Sequence, residues 1–100
     1  MDNDKTTSWI FMATAIASRT GGANVIKIAE IADGINHSLP TDQEIHSSLD
    51  RLLKLGLIIE NGENYELTSK GKQQYESSEK NSGSLFAIWE KLEKQIVNFA

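Results

Sequence analysis

The sequence of 100 residues has no cysteine, a single proline and no long apolar run, and it has fewer bases than acids. Without cysteine, neither a disulfide framework nor a thiolate metal site can form. No segment is apolar for long enough to be a signal peptide or a membrane span, so we expect a soluble, cytoplasmic protein without membrane contact. Ten bases against fourteen acids give a net charge of −4, which opposes contact with phosphates.

Catalytic signatures are also missing. The sequence has no glycine-rich phosphate loop after a strand, no G-x-S-x-G and no cysteine nucleophile. His46 and Asp50 are four residues apart on a predicted helix, but no further ligand at metal-site spacing accompanies them. A partly buried, structural His46 is the simpler interpretation. We therefore expect no enzyme activity, no catalytic residue, no metal and no cofactor.

The first third of the chain predicts two helices. Apolar residues at helical spacing predict a helix that starts behind Ser8, its expected N-cap, and ends at the glycines at 21 and 22. Residues 25–26 suit a brief strand, and residues 28–35 repeat at the spacing of a second helix. Residues 1–7 are polar, and we expect them to be disordered.

The third helix has the clearest start and end. Thr41 is a good N-cap, and Glu44 three residues later completes a capping box. Gly56 lies where a helix needs a left-handed residue at its C-terminal end. The predicted helix spans residues 41–55, and its buried face consists of Ile45, Leu49, Leu52 and Leu53.

Beyond Gly56 the hydrophobic period changes from that of a helix to that of strands. Residues 57–60 are largely apolar and β-branched, residues 65–68 alternate apolar with polar, and Asn61-Gly62 lies in the turn region between them, so residues 57–68 predict a hairpin. Thr68 or Ser69 then starts a fourth helix that runs to about residue 77. Residues 78–84 are polar and predict a linker.

These elements carry a family resemblance. The segments LLKLGLI (residues 52–58) and YELTSKGK (residues 65–72) resemble the pattern L-x-x-x-G-L-I … Y-x-L-T-x-K-G of winged helix-turn-helix domains in bacterial transcriptional regulators. Residues 33–41 are similar to small bacterial winged-helix proteins of unassigned function that carry an I-N-H-x-x-P-T stretch. The resemblance implies a mainly α fold with a small β-wing (α+β) over residues 8–77, in the order helix, brief strand, helix, helix, two wing strands, helix.

The resemblance also implies a transcriptional regulator that places helix 41–55 in the major groove of double-stranded DNA. At 100° per residue, several polar side chains of this helix point away from the core, and two lysines follow at the start of the fourth helix. Asp50 lies in the middle of the exposed face. The candidate DNA-binding residues are Gln43, Ser47, Arg51, Lys54, Lys70 and Lys72.

Charge favours a second hypothesis. Residues 41–66 contain six acids and two bases, so this segment alone has the net charge of the whole chain. Affinity for DNA depends largely on neutralised phosphates, and an acidic reading surface removes that contribution. The alternative is a protein-interaction module with an acidic docking face for a basic protein partner, without contact to DNA.

The last predicted helix, residues 85–100, has an apolar seam at spacings of four, three, four and three. Such a seam pairs with another helix, so this segment is a candidate dimerisation helix and the protein a candidate homodimer. Alternatively, the seam folds back on the first helix of the same chain. The candidate dimerisation residues are Trp9, Leu85, Trp89, Leu92, Ile96 and Phe99.

Overall fold

The structure, a computed structural model, describes residues 3–99 with the exception of the side chain of Phe99. The chain is mainly helical with one two-stranded antiparallel sheet among the described residues. The strands form a hairpin that pairs Ile58 with Leu67 and Asn61 with Asn64. In chain order the elements are α1 (Asn3–Ala17), α2 (Val25–Asn36), α3 (Asp42–Lys54), β1 (Ile58–Asn61), β2 (Asn64–Leu67), α4 (Ser69–Glu79) and α5 (Leu85–Phe99).

Helix α1 is the centre of the fold, and it starts earlier than its sequence predicts. It begins at Asn3, so the prediction of a disordered segment is wrong for residues 3–7, whereas residues 1–2 lie outside the described residues. Ser8 is not the N-cap. Its hydroxyl is fully buried, donates to the carbonyl of Lys5 at 2.9 Å and accepts from the Trp89 indole at 3.1 Å. Because α2, α3 and α5 all pack on α1, the polar residues Thr6, Thr7 and Ser8 near its start are buried.

The expected strand at residues 25–26 is wrong, because these residues already belong to α2. Asn24 caps this helix, and its side chain accepts from the backbone N–H of Lys27 at 2.9 Å. A single antiparallel bridge takes the place of the strand. Ala23 and Tyr65 exchange two backbone hydrogen bonds of 3.0 and 2.8 Å, which fix the start of α2 against the hairpin.

The local signals around α3 are confirmed. Thr41 accepts from the Glu44 N–H at 3.0 Å, while Glu44 accepts from the Thr41 N–H at 2.9 Å, so both halves of the capping box are present. Gly56 has a φ of +76°, the left-handed conformation expected at the end of the helix. The hairpin follows directly, which places β1 beside the C-terminal end of α3.

Helices α4 and α5 join the same core. Helix α4 runs to Glu79 and buries Ser78, so the expected polar linker is wrong for residues 78–79. Helix α5 packs on α1, with the rings of Trp9 and Trp89 stacked at 6.1 Å between centroids. Leu92 and Ile96 are also buried. The middle of the seam, Trp89, Leu92 and Ile96, is therefore buried within the chain, as in the second of the two alternatives.

Candidate interaction surfaces

The outer face of α3 is exposed as its sequence predicts. Gln43, Ser47, Asp50 and Lys54 all lie on the surface of the helix. The hydroxyl of Ser47 donates to the Gln43 carbonyl at 2.6 Å, within the helix itself. This face therefore offers an amide, a hydroxyl and one carboxylate–ammonium pair to a partner.

Arg51 lies half-buried at the edge of that face, and it is already paired. Its guanidinium lies 2.7 Å from the carboxylate of Asp4 and donates to the hydroxyl of Thr7 at 3.4 Å. The side chain is 26% exposed, so it lies half-buried in a cleft of about 550 Å³ between α3 and the start of α1. The sequence prediction missed Asp4 and Thr7, because both belong to the segment expected to be disordered. No local signal links residues more than forty positions apart.

None of the three candidate lysines places an unpaired positive charge beside Arg51. Lys54 pairs with Asp50 at 3.0 Å, one helical turn earlier. Lys70 donates to the Leu55 carbonyl at 3.1 Å, behind the C-terminal end of α3. Lys72 lies in a different cleft. The predicted DNA-binding residues are thus distributed over separate places, and the structure brings only Gln43, Ser47, Arg51 and Lys54 to one helix face.

The cleft with Lys72 has a volume of about 280 Å³ and lies between the end of α1 and α4. Two bases, Arg19 and Lys72, line it together with three acids, namely Glu66, Glu76 and Glu79. The Tyr75 ring forms one wall. Burial and the nearby Glu79 raise the pKa of Tyr75 above its ordinary value, while Arg19 acts in the opposite direction. Because acids outnumber bases here, this cleft does not attract phosphate either.

The hairpin carries an unbalanced negative charge. Between Ile58 and Leu67 it contains three acids, Glu60, Glu63 and Glu66, and no base. A cleft of about 360 Å³ lies between the hairpin and the start of α2, and we call it the hairpin cleft. It is lined by Asn24, Val25, Ile26, Glu60, Gly62, Glu63 and Tyr65.

Two side chains shape the hairpin cleft. The Tyr65 hydroxyl donates to a carboxylate oxygen of Glu60 at 2.9 Å, which holds that acid in place. Burial, together with this hydrogen bond and the charge of Glu60, raises the pKa of Tyr65. Ile26 projects from the first turn of α2 and is 69% exposed, the largest exposure of any large apolar side chain among the described residues. An apolar side chain and acidic groups thus lie side by side.

The candidate dimerisation residues divide into two groups. Trp9, Trp89, Leu92 and Ile96 are buried within the chain, whereas Leu85 remains exposed beside Phe86 on α5. The side chain of Phe99 lies outside the described part of the structure. Dimerisation through the buried four would require the core to open, so a dimer formed through α5 would have to use the exposed side chains of this helix.

Two further observations concern metal and membrane. His46 is exposed, so the expected partly buried position is wrong. Within residues 3–99 no group of three or more histidine and acidic side chains is arranged to hold a metal ion. Over the same residues, no helix combines the length and the apolar character needed to cross a membrane.

Comparison of the chain with protein-family models, with curated proteins and with solved structures finds no match.

Proposed function

We propose that this chain is a winged-helix protein-interaction module whose acidic hairpin docks a basic segment of another protein. The fold part of the proposal is supported by the order of α2, α3 and the hairpin, which would be helix-turn-helix and wing. The Ala23–Tyr65 bridge would replace the third strand of the wing sheet. Thr68 caps α4 and donates to the Gly56 carbonyl at 2.7 Å, which ties the end of α3 to the start of α4.

The pairing of Arg51 with Asp4 at 2.7 Å is the observation that carries the functional part. A guanidinium neutralised inside its own chain has to break that pair before it contacts a phosphate, and breaking it exposes Asp4 to the same phosphate. Lys54 also has an acidic partner, Asp50, in a pair whose two side chains are exposed. Since the hairpin adds only acids, the surface around α3 lacks the counterion-releasing charge on which DNA binding depends. The same acids attract a basic protein segment.

Binding measured in parallel with two labelled probes tests this proposal. The probes are a mixed-sequence duplex DNA and a short peptide of alternating lysine and leucine, both followed by fluorescence anisotropy from about 50 mM salt upward. We expect the peptide to bind, with affinity that falls as salt rises, and the duplex to show no binding at the lowest salt. Salt-dependent duplex binding together with an inert peptide would overturn the proposal.

DNA binding as a homodimer through α3 is the second candidate function. The favouring observation is the exposed amide of Gln43 beside Ser47, on the first turns of a well-capped helix, where a major-groove reader needs such groups. If this candidate is right, Arg51→Ala weakens duplex binding and Asp50→Asn strengthens it. Sedimentation of the wild type against Phe86→Glu tests the dimer. Such a dimer would use the face of α5 that carries Phe86, which is 59% exposed.

A further inference from the structure

Ile26 lies exposed at the rim of the hairpin cleft. Val25 beside it is only half-buried, so the apolar area continues from the rim into the cleft. The Asn24 cap and the Ala23 bridge hold this turn of α2 in place. The backbone that carries the apolar rim is therefore fixed, so little conformational entropy is lost when a partner binds.

The opposite wall of the hairpin cleft is acidic. Glu60 is held by the Tyr65 hydroxyl through one carboxylate oxygen, and its other oxygen remains available to a partner. Glu63 lies in the tight turn after Gly62, whose φ is +66°. No base lines the cleft. The nearest base along the chain is Lys27, which is exposed and points about 100° around the helix from Ile26.

These two walls define the chemistry of the occupant. A volume of about 360 Å³ accommodates one long side chain and part of a second. Arginine and lysine have an apolar stem that packs on isoleucine and a charged head that pairs with carboxylates. Nucleic acid is unfavourable here, because the cleft is lined by two carboxylates and no base.

We infer that the hairpin cleft is the docking site for an extended basic segment of a partner protein. One arginine or lysine of that segment pairs with Glu60 and Glu63, and a neighbouring apolar residue covers Ile26. This inference rests on the proposed function, and it names the site and the chemistry of the partner.

The test uses the full chain and the labelled lysine–leucine peptide, with two control peptides in which glutamate replaces lysine or serine replaces leucine. Glu60→Gln combined with Glu63→Gln removes the charge and keeps the Tyr65 hydrogen bond, and Ile26→Ser removes the apolar rim. Their matched controls are Glu76→Gln with Glu90→Gln, and Leu39→Ser, which change the same chemistry at exposed positions elsewhere.

We expect the double glutamine variant to weaken peptide binding about tenfold and Ile26→Ser about fivefold, and each control less than about twofold. Both control peptides should bind more weakly than the parent peptide. Amide resonances of residues 24–26 and 60–65 should shift in proton–nitrogen NMR spectra on titration. Folding of each variant is checked by circular dichroism.

The remaining outcomes separate the inference from the proposed function. If the site and control variants lose equal peptide affinity, or if only amide resonances of α3 shift, the inference about the hairpin cleft is overturned. The proposed function, binding of a basic partner, would still stand. Binding of duplex DNA with no peptide binding would overturn the proposed function as well. A concentration-dependent dimer that Ile26→Ser abolishes would assign the cleft to a second copy of the chain and overturn the inference.

Discussion

Helices α1 and α3 are similar in length but differ in their relation to solvent. Eleven of the fifteen residues of α1 are buried, against four of the thirteen in α3. Helix α1 is enclosed by three other helices, whereas α3 turns a single apolar face inward. The difference indicates that α1 supports the fold, whereas α3 and the hairpin present most of their side chains to solvent.

The polar residues of the two helices show the same division. In α1, Thr14 donates to the Ile10 carbonyl at 2.8 Å, and Ser8 is bonded on both sides. These hydroxyls are satisfied inside the core, as buried polar groups must be. In α3, Gln43 and Asp50 face solvent. Substitutions in α1 should therefore change stability, whereas substitutions on the outer face of α3 should leave it almost unchanged.

The largest expected effect follows from removing an aromatic side chain of α1. Trp9→Ala deletes a ring that is 1% exposed and stacks on Trp89. It also leaves the Ala32 carbonyl without its 2.9 Å indole donor. We expect the free energy of unfolding to fall by about 3–5 kcal/mol, measured by urea denaturation.

Phe86→Ala is the matched control, because Phe86 is an aromatic residue that is 59% exposed on α5. Its cost should stay below about 1 kcal/mol. If the two substitutions cost the same in a monomeric sample, the contrast between the enclosed helix and the open surface is wrong.

A second prediction concerns two helical glycines. A Cβ at Gly71 would overlap the carbonyl oxygen of Leu57, because α4 starts against the residue that precedes β1. Gly71→Ala must move backbone, and we expect a loss of about 3 kcal/mol. A Cβ at Gly34 in α2 would meet no atom within 4 Å, so Gly34→Ala should stabilise by about 0.5–1 kcal/mol. Thermal unfolding followed by circular dichroism shows whether each variant is less or more stable than the wild type. A stabilised Gly71→Ala protein would refute the close approach of Gly71 to the Leu57 carbonyl.

The parts of the fold that the sequence predicts are those with local causes. The Thr41–Glu44 box and the left-handed Gly56 depend on residues within a few positions of one another, and both predictions are confirmed. The start of α1 and the bridge at Ala23 depend on partners distant in the chain, and no local pattern contains them. Arg51 shows the same limit at the candidate site: helical spacing predicts its direction, but not the Asp4 carboxylate that meets it.

A third, smaller effect tests the capping box at the start of α3. Thr41→Ala removes the side chain that accepts from the Glu44 N–H and leaves one backbone donor at the start of α3 without its cap. We expect a loss of about 1 kcal/mol in the free energy of unfolding. Thr20→Ala, at an exposed position after α1, should be close to neutral. Equal effects at both positions would show that the capping box contributes nothing specific.

The smallest effect on stability is expected where the two helices meet, at the Asp4–Arg51 pair. Its side chains are 36% and 26% exposed, so solvent screens the attraction. A double-mutant cycle of Asp4→Asn and Arg51→Gln, measured by urea denaturation, should give a coupling energy of about 0.2–1 kcal/mol.

The same pair distinguishes the two candidate functions more sharply than it affects folding. If neutralisation of Arg51 is what keeps α3 from DNA, Asp4→Asn frees a guanidinium and removes an acid, so weak duplex binding should appear at about 50 mM salt. The Arg51→Gln background should abolish that gain, whereas peptide binding at the hairpin cleft should be unchanged in all three variants. A wild-type protein that binds duplex DNA as tightly as the Asp4→Asn variant would show that the contact between α1 and α3 does not control the outer face. The division between supporting helix and presenting helix would then hold for stability alone.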